Sequence, residues 1–153
     1  MLITAKKWRR SYAVAGVLLL GALLAGLIFL ARSCSKNEEV KPLLNNDDRV
    51  AYLLSLGWEI DPEPVETLHL QLPDELVGTE YEDYNETQLS QGFDLSAYCG
   101  RQLTRYTYSI LNYPGGRTDV QLDLYLCDGM VVAGDVIALG ENGFVGSLAF
   151  PEK

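Results

Sequence analysis

The chain has 153 residues, 48% of them hydrophobic, and a formal net charge of −9. That charge repels nucleic acid and anionic lipid headgroups, which argues against DNA, RNA and teichoic-acid-like polymers as direct ligands unless cations bridge them. Three cysteines and one histidine do not make a usual zinc site, and the odd cysteine count leaves at least one thiol unpaired.

Residues 1–11 form a basic leader with Lys6, Lys7, Arg9 and Arg10. Tyr12–Ala31 (YAVAGVLLLGALLAGLIFLA) then runs without a charge. A spanning helix needs roughly 20 apolar residues, because lipid offers no partner for open backbone groups. Residues 12–31 are therefore expected to be a transmembrane helix. Gly16, Gly21 and Gly26 recur every five residues, which is not the four-residue spacing of a helix-dimerising face. A cleaved signal peptide is an alternative, but its apolar region is shorter. Lipidation at Cys34 is another, and Arg32 just before it fits that signal poorly. The side richer in Lys and Arg stays in the cytoplasm. All 21 acidic residues lie beyond the span. The N-terminus is thus expected inside, and the rest outside the cell membrane, anchored through Tyr12–Ala31 in a single pass.

Residues 32–44 read as a polar linker, and residues 45–153 as one extracytoplasmic domain. Asn45–Leu56 has helical spacing in Val50, Leu53 and Leu54, with Asn46 or Asp47 as cap and Gly57 as stop. Val65–Leu72 alternates Leu68, Leu70 and Leu72 with polar residues, a half-buried strand. Glu80–Gly92 is helical, with Tyr81, Tyr84 and Gln88 on one face. Phe93–Tyr98 is a single turn capped by Asp94. The remainder reads as a meander of strands: Arg101–Tyr113, Thr118–Leu126, Met130–Leu139 and Phe144–Phe150. The fold class is α+β: a small two-layer domain with an antiparallel β-meander packed on one helix.

The hairpin at Asp128-Gly129 admits two registers. A two-residue loop pairs Leu126 with Val131 and puts Asp135 on the buried face beside Leu122. A three-residue loop, Cys127–Gly129, pairs Leu126 with Met130, buries Met130, Val132, Val136 and Ala138, and leaves Asp135 outside. A one-residue slip inverts the faces, and an unpaired buried carboxylate is costly. The three-residue loop is therefore expected, with Gly129 at positive φ. A symmetric turn at Pro114–Arg117 would place Cys127 opposite Thr104. Cys99 would then lie five residues further on, about 16 Å away at roughly 3.3 Å per residue. That is beyond disulfide reach, so Cys99 and Cys127 are expected to be free.

No residue is assigned a catalytic role. GxSxG, GxGxxG, GxxxxGK[ST] and HExxH are absent, and no metal or cofactor is implied. His69 and Cys127 have a spacing like that of a sortase pair. However, no threonine precedes the cysteine and no arginine follows it, so His69 reads as a solvent-facing strand residue. The acidic run Glu80, Glu82, Asp83 and Glu86 lacks the order of a calcium loop and reads as a solvated helix face. Tyr81, Tyr84, Tyr98, Tyr106, Tyr108, Tyr113 and Tyr125 either pack the strands or line a groove.

The sequence resembles an uncharacterised bacterial family, the domain of unknown function numbered 4830. The resemblance is carried by Arg49-Val50-Ala51-Tyr52-Leu53 leading to Gly57-Trp58, Gln91-Gly92-Phe93-Asp94-Leu95, Tyr98-Cys99-Gly100, Tyr106-Thr107-Tyr108, Asn112-Tyr113-Pro114 and Val132-Ala133-Gly134-Asp135-Val136. It implies a short span followed by a small domain in the envelope of Gram-positive bacteria. It brings no activity and no site residues. Two readings of function follow. One is a non-catalytic envelope module that binds a protein or peptide, in sensing or regulation. The other is a cell-wall carbohydrate-binding module or hydrolase using carboxylates such as Asp94 or Asp135 with tyrosines, which needs two carboxylates within about 10 Å.

Overall fold

The computed structural model describes residues 41–140 and 142–151. The expected leader, the expected membrane helix and most of the linker lie outside the described residues. Among the described residues no helix is long and apolar enough to cross a membrane.

The first helix, α1, spans Asn46–Ser55. Its cap is Asn45, one residue before the expected cap. The Asn45 side chain accepts from the Asp48 N–H at 2.9 Å, which satisfies one of the open donors of the first turn. Leu53 is fully buried, but Leu54 is 53% exposed, because a short helix buries one stripe only. Gly57 ends the helix at φ +97, in the left-handed region where a side chain would be strained. Trp58 is then fully buried, and its Nε1 donates to the Leu148 carbonyl at 2.7 Å. The Asn112 side chain bridges the same stretch. It donates to the Gly57 carbonyl and accepts from the Glu59 N–H, both at 2.9 Å.

Five strands follow the expected meander: β1 (Glu66–Gln71), β2 (Gln102–Ser109), β3 (Val120–Cys127), β4 (Met130–Ala138) and β5 (Phe144–Ser147). They lie in the order β1-β2-β3-β4-β5 with every neighbouring pair antiparallel. Between β1 and β2 lie the helix α2 (Thr79–Ser90) and a 3₁₀ turn at Leu95–Tyr98, which Asp94 caps as expected.

Two registers differ from the sequence reading. Thr104 faces Leu126 rather than Cys127, because the connection after β2 is centred on Gly115 rather than between Gly115 and Gly116. The one-residue shift places Tyr106 and Tyr108 beside Leu124 and Leu122. At the next hairpin, Cys127 pairs with Met130 across a two-residue loop, not three. Asp128 (φ 49) and Gly129 (φ 80) both adopt the positive φ that a tight hairpin of this hand needs. A bulge between Tyr125 and Leu126 then shifts the register, so that Leu122 pairs with Val136 and Asp123 with Asp135.

The bulge reconciles the loop with the hydrophobic pattern. Leu122, Leu124, Val136 and Ala138 still face α1, where they pack with Leu53, Trp58 and Tyr108. Asp135 still points away from that core, but it is only 3% exposed rather than outside. The reason is a third layer. The segment Leu72–Tyr98 folds over the second face, where Leu72, Leu95, Leu103, Cys127, Val132 and Ala133 form a separate cluster. The domain is α+β as expected, with both faces of the sheet covered rather than one. Leu43, placed in the linker by sequence, belongs to the domain: it is buried, and its N–H donates to the Gly129 carbonyl at 2.7 Å.

Cys99 and Cys127 are both free, Cys127 in the second core and Cys99 half-buried. A Cys34→Ser variant of the chain, denatured without reductant, should titrate two thiols. A count of zero would show that the turn at Tyr98–Gly100 brings the two sulfurs together.

Candidate functional site

The second face of the sheet carries a layer of acids and their partners. Thr107 on β2 faces Asp123 on β3, and Asp123 faces Asp135 on β4. Residues directly opposed in an antiparallel pair hold their Cβ atoms about 5 Å apart, so the two carboxylates are neighbours. Each residue is 3% exposed.

Both acids have partners. The Thr107 hydroxyl donates to Asp123 Oδ1, and Arg105 Nη1 lies 3.6 Å from Asp123 Oδ2. Arg105 also pairs with Glu66 at the open end of the layer. Tyr84 from α2 donates its hydroxyl to Asp135 Oδ2 at 2.5 Å. The rings of Tyr84 and Tyr125 meet edge to face with centroids 6.3 Å apart. Burial pushes the Asp135 carboxyl up to about 6, the Tyr84 bond opposing it and the nearby Asp123 charge adding to it. Burial also raises Asp123, against the pull of Thr107 and Arg105. The phenols of Tyr84 and Tyr125 are raised by burial first and by the Asp135 charge second.

The helix α2 is held over this layer by amides. β5 pairs with β4 only as far as Ser147 opposite Asp135. At Gly134, Gln88 and Gln91 of the insert continue the edge. The Gly134 N–H donates to Gln88 Oε1 at 3.1 Å, and Gln91 Nε2 donates to the Gly134 carbonyl at 3.2 Å. Gln91 Oε1 accepts from the Leu148 N–H at 2.6 Å and from Ser147 Oγ at 3.0 Å. Gln88 Nε2 finds no acceptor among the described residues. Gly134 has no room for a side chain: a Cβ there would lie 2.7 Å from Leu148 Cδ2.

The residues singled out by sequence scatter. Asp135 lies in the acid layer. Asp94 does not join it, since its carboxylate accepts from Ser96 N at 3.0 Å and Ser96 Oγ at 2.6 Å, which lowers its pKa. The tyrosines do not line one groove. Tyr84 and Tyr125 face the acids, Tyr106 and Tyr108 pack under α1, Tyr113 stacks on Trp58, and Tyr81 is 48% exposed. His69 is exposed as expected, with Nδ1 3.0 Å from Thr104 Oγ1. Asp123, Arg105 and Thr107 were not foreseen. The sign available for them was the pairing of Asp123 with Asp135 about the Asp-Gly turn, which needs the bulge to be seen.

Among the described residues, clefts open elsewhere, three of them as follows. One of about 330 Å³ lies between Leu43, Arg49 and the strands at Thr104, Tyr106 and Leu126. One of about 290 Å³ is lined by Tyr52, Gln91 and Phe93. One of about 240 Å³ is lined by Tyr113, Phe144 and Pro151. Neither aspartate lines any of the three.

Fold and site together define a small α+β domain whose five-stranded meander buries an acid pair beneath a helical insert. A family model described as Domain of unknown function (DUF4830) matches residues 52–136, and the chain belongs to that family. Comparison with curated proteins and with solved structures found no match.

The acid layer makes a test of pH dependence. The Asp135 carboxyl titrates near 6 in the folded chain and near 3.9 unfolded, so the folded state holds its proton more tightly. Its contribution to stability is complete below about pH 4 and is lost as pH rises through about 6. Measured against Asp135→Asn, the wild-type chain should therefore lose up to about 3 kcal/mol of relative stability between those values in urea unfolding. Tyr84→Phe removes the bond that favours the ionised form, so it should cost about 1.5–3 kcal/mol at pH 8 and less at pH 5. A wild-type-minus-Asn difference that is flat in pH would contradict the assignment.

Proposed function

We propose that the chain is a membrane-anchored, extracytoplasmic, non-catalytic module of the bacterial cell envelope that binds an extended peptide or protein segment. Tyr12–Ala31 would be its single membrane span, with the basic leader in the cytoplasm. The observation that carries the binding reading is the open edge of β1. Among the described residues this strand has one neighbour, β2, and five of its six residues are exposed. Leu72 donates to the Arg101 carbonyl at 3.0 Å, which fixes the alternation of the ladder. By that alternation the backbone groups of Thr67, His69 and Gln71 point away from β2. Pro64 and Pro73 bracket the strand, so the free edge is confined to about the length of one short peptide. An incoming strand would gain main-chain hydrogen bonds there, and Val65 and Leu68, 54% and 42% exposed, offer apolar contacts.

The enzymatic alternative draws less support. Its minimum was a pair of carboxylates beside a cleft, and Asp123 and Asp135 are instead closed over by α2 and partnered within the fold.

Two measurements test the proposal. Protease added to intact protoplasts should remove residues 45–153, and survival of the domain until lysis would overturn the orientation. For the edge, peptides selected from a phage-displayed library should slow hydrogen exchange at the Thr67, His69 and Gln71 amides. They should also lose binding to His69→Pro, which removes one outward donor. Peptides that bind without protecting those three amides would overturn strand addition.

A further inference from the structure

Arg49 is a buried cation without an acid partner among the described residues. The residue is 8% exposed, and no carboxylate lies in ion-pair range of it among the described residues. A guanidinium removed from water is costly unless a counter-charge or ligand compensates it.

Neutral groups hold it in one orientation. Its Nε donates to the Tyr108 hydroxyl at 3.0 Å, and Nη2 donates to Asn46 Oδ1 at 3.3 Å. Tyr108 in turn donates to the same Asn46 oxygen at 2.9 Å. The guanidinium carbon sits 3.7 Å from the centroid of the Tyr106 ring. These contacts leave Nη1 without a described partner, and Nη1 is not among the sealed atoms that lack one. Arg49 lines the cleft of about 330 Å³ together with Gln102, Thr104 and Tyr106.

Among the described residues, the acids near this cleft are already committed. Asp48 is bound to Lys41 Nζ at 2.9 Å and to the Leu44 N–H at 3.2 Å. Asp128, itself part of the cleft lining, pairs with Arg101. The chain has thus placed a fixed, aromatic-backed guanidinium in a cleft and matched the surrounding acids elsewhere. A planar guanidinium in that setting selects a carboxylate or a similar oxyanion. The volume suits a small ligand or the end of a chain.

We infer that the cleft at Arg49 binds a carboxylate, with the guanidinium as its charge partner and the Thr104 hydroxyl and Gln102 amide as neutral contacts. The carboxylate can be carried by a small organic acid or by the free C-terminus of a peptide. The cleft adjoins β1, since His69 faces Thr104 and Gln71 faces Gln102. It does not require a peptide on the β1 edge.

The test uses the 153-residue chain in a non-ionic detergent, with acetate, N-acetyl-trialanine and the C-terminal amide of N-acetyl-trialanine as probes. NMR resonances of the Arg49 Nε–H and of the Thr104 and Tyr106 amides are the readout. The free acid should shift them saturably, and the amide should bind at least about tenfold more weakly, the loss of one charge-assisted contact. Acetate shifting the same resonances identifies a small acid as sufficient; a response to the peptide acid alone identifies the peptide terminus. Arg49→Gln should abolish the preference for acid over amide. Should that variant unfold, the comparison of acid with amide on the native chain still decides. Equal binding of acid and amide, shifts only at other residues, or no shift with either acid overturns the inference. Amide binding that protects Thr67, His69 and Gln71, with no preference for the acid at Arg49, would overturn it while leaving strand addition along β1 intact.

Discussion

The pairing of β3 with β4 has to serve two masters. Its tip must be a tight turn, and its body must keep leucines on one face and aspartates on the other. A two-residue loop with no further change would have turned Asp135 toward Leu122 and the α1 core. The bulge between Tyr125 and Leu126 adds one residue and restores the parity. Everything on the second face depends on that single inserted position. It sets Asp123 against Asp135, brings Tyr125 beside Ala133, and leaves Val132 and Ala133 together in the second core.

Once two acids stand on that face, the face cannot be apolar and cannot be left half covered. The insert answers both demands. Leu95 and Tyr98 supply apolar cover near Cys127 and Leu103, while Tyr84 brings a hydroxyl to the carboxylate. The helix α2 buries one residue, Gln88, and so docks through hydrogen bonds more than through an apolar stripe. Such polar contacts are directional and fix a single placement, but each is costly when its partner is missing. This explains why a helix without an apolar face is found packed at all. Gln88 and Gln91 act as the continuation of β5 along the edge of β4, and Gly134 is the place where the approach is closest.

How much of this was legible follows from the range of each interaction. The α1 helix, the capping by Asp94, the five strands and the positive φ at Gly129 are local matters of period and turn chemistry, and the sequence displays them. The strand faces were legible on β3, where Val120, Leu122, Leu124 and Leu126 alternate without interruption. They were not legible on β4, because a bulge leaves no mark in VVAGDV until its partner strand is known. The burial of Asp135 was missed for a longer-range reason. Its cover comes from Tyr84, 51 residues earlier, on a helix that reads as solvated. Arg49 was hidden likewise: its neighbours Tyr106 and Tyr108 come from β2, and a lone arginine on a helix normally reads as surface.

The two faces thus treat buried charge in opposite ways. On the second face Asp123 and Asp135 are closed in by donors from the chain itself, while Arg105 Nε and Gln88 Nε2 find no acceptor among the described residues. On the first face the Arg49 guanidinium is oriented by three neutral side chains and still borders open space. The matched family stretch, residues 52–136, contains the acid layer and the whole of β1 and β2, whereas Arg49 and Leu43 precede it. The cleft is therefore assembled where the segment before the matched stretch folds back on it. Leu43 is anchored to Gly129 at the hairpin tip, and α1 is laid across Tyr108. A turn whose φ values serve the hairpin thereby also forms one wall of the cleft, with Gly129 giving its carbonyl to Leu43 and its open Cα to the packing of Pro42 and Leu44. The placement of the arginine rests on the same hairpin geometry that places the aspartates.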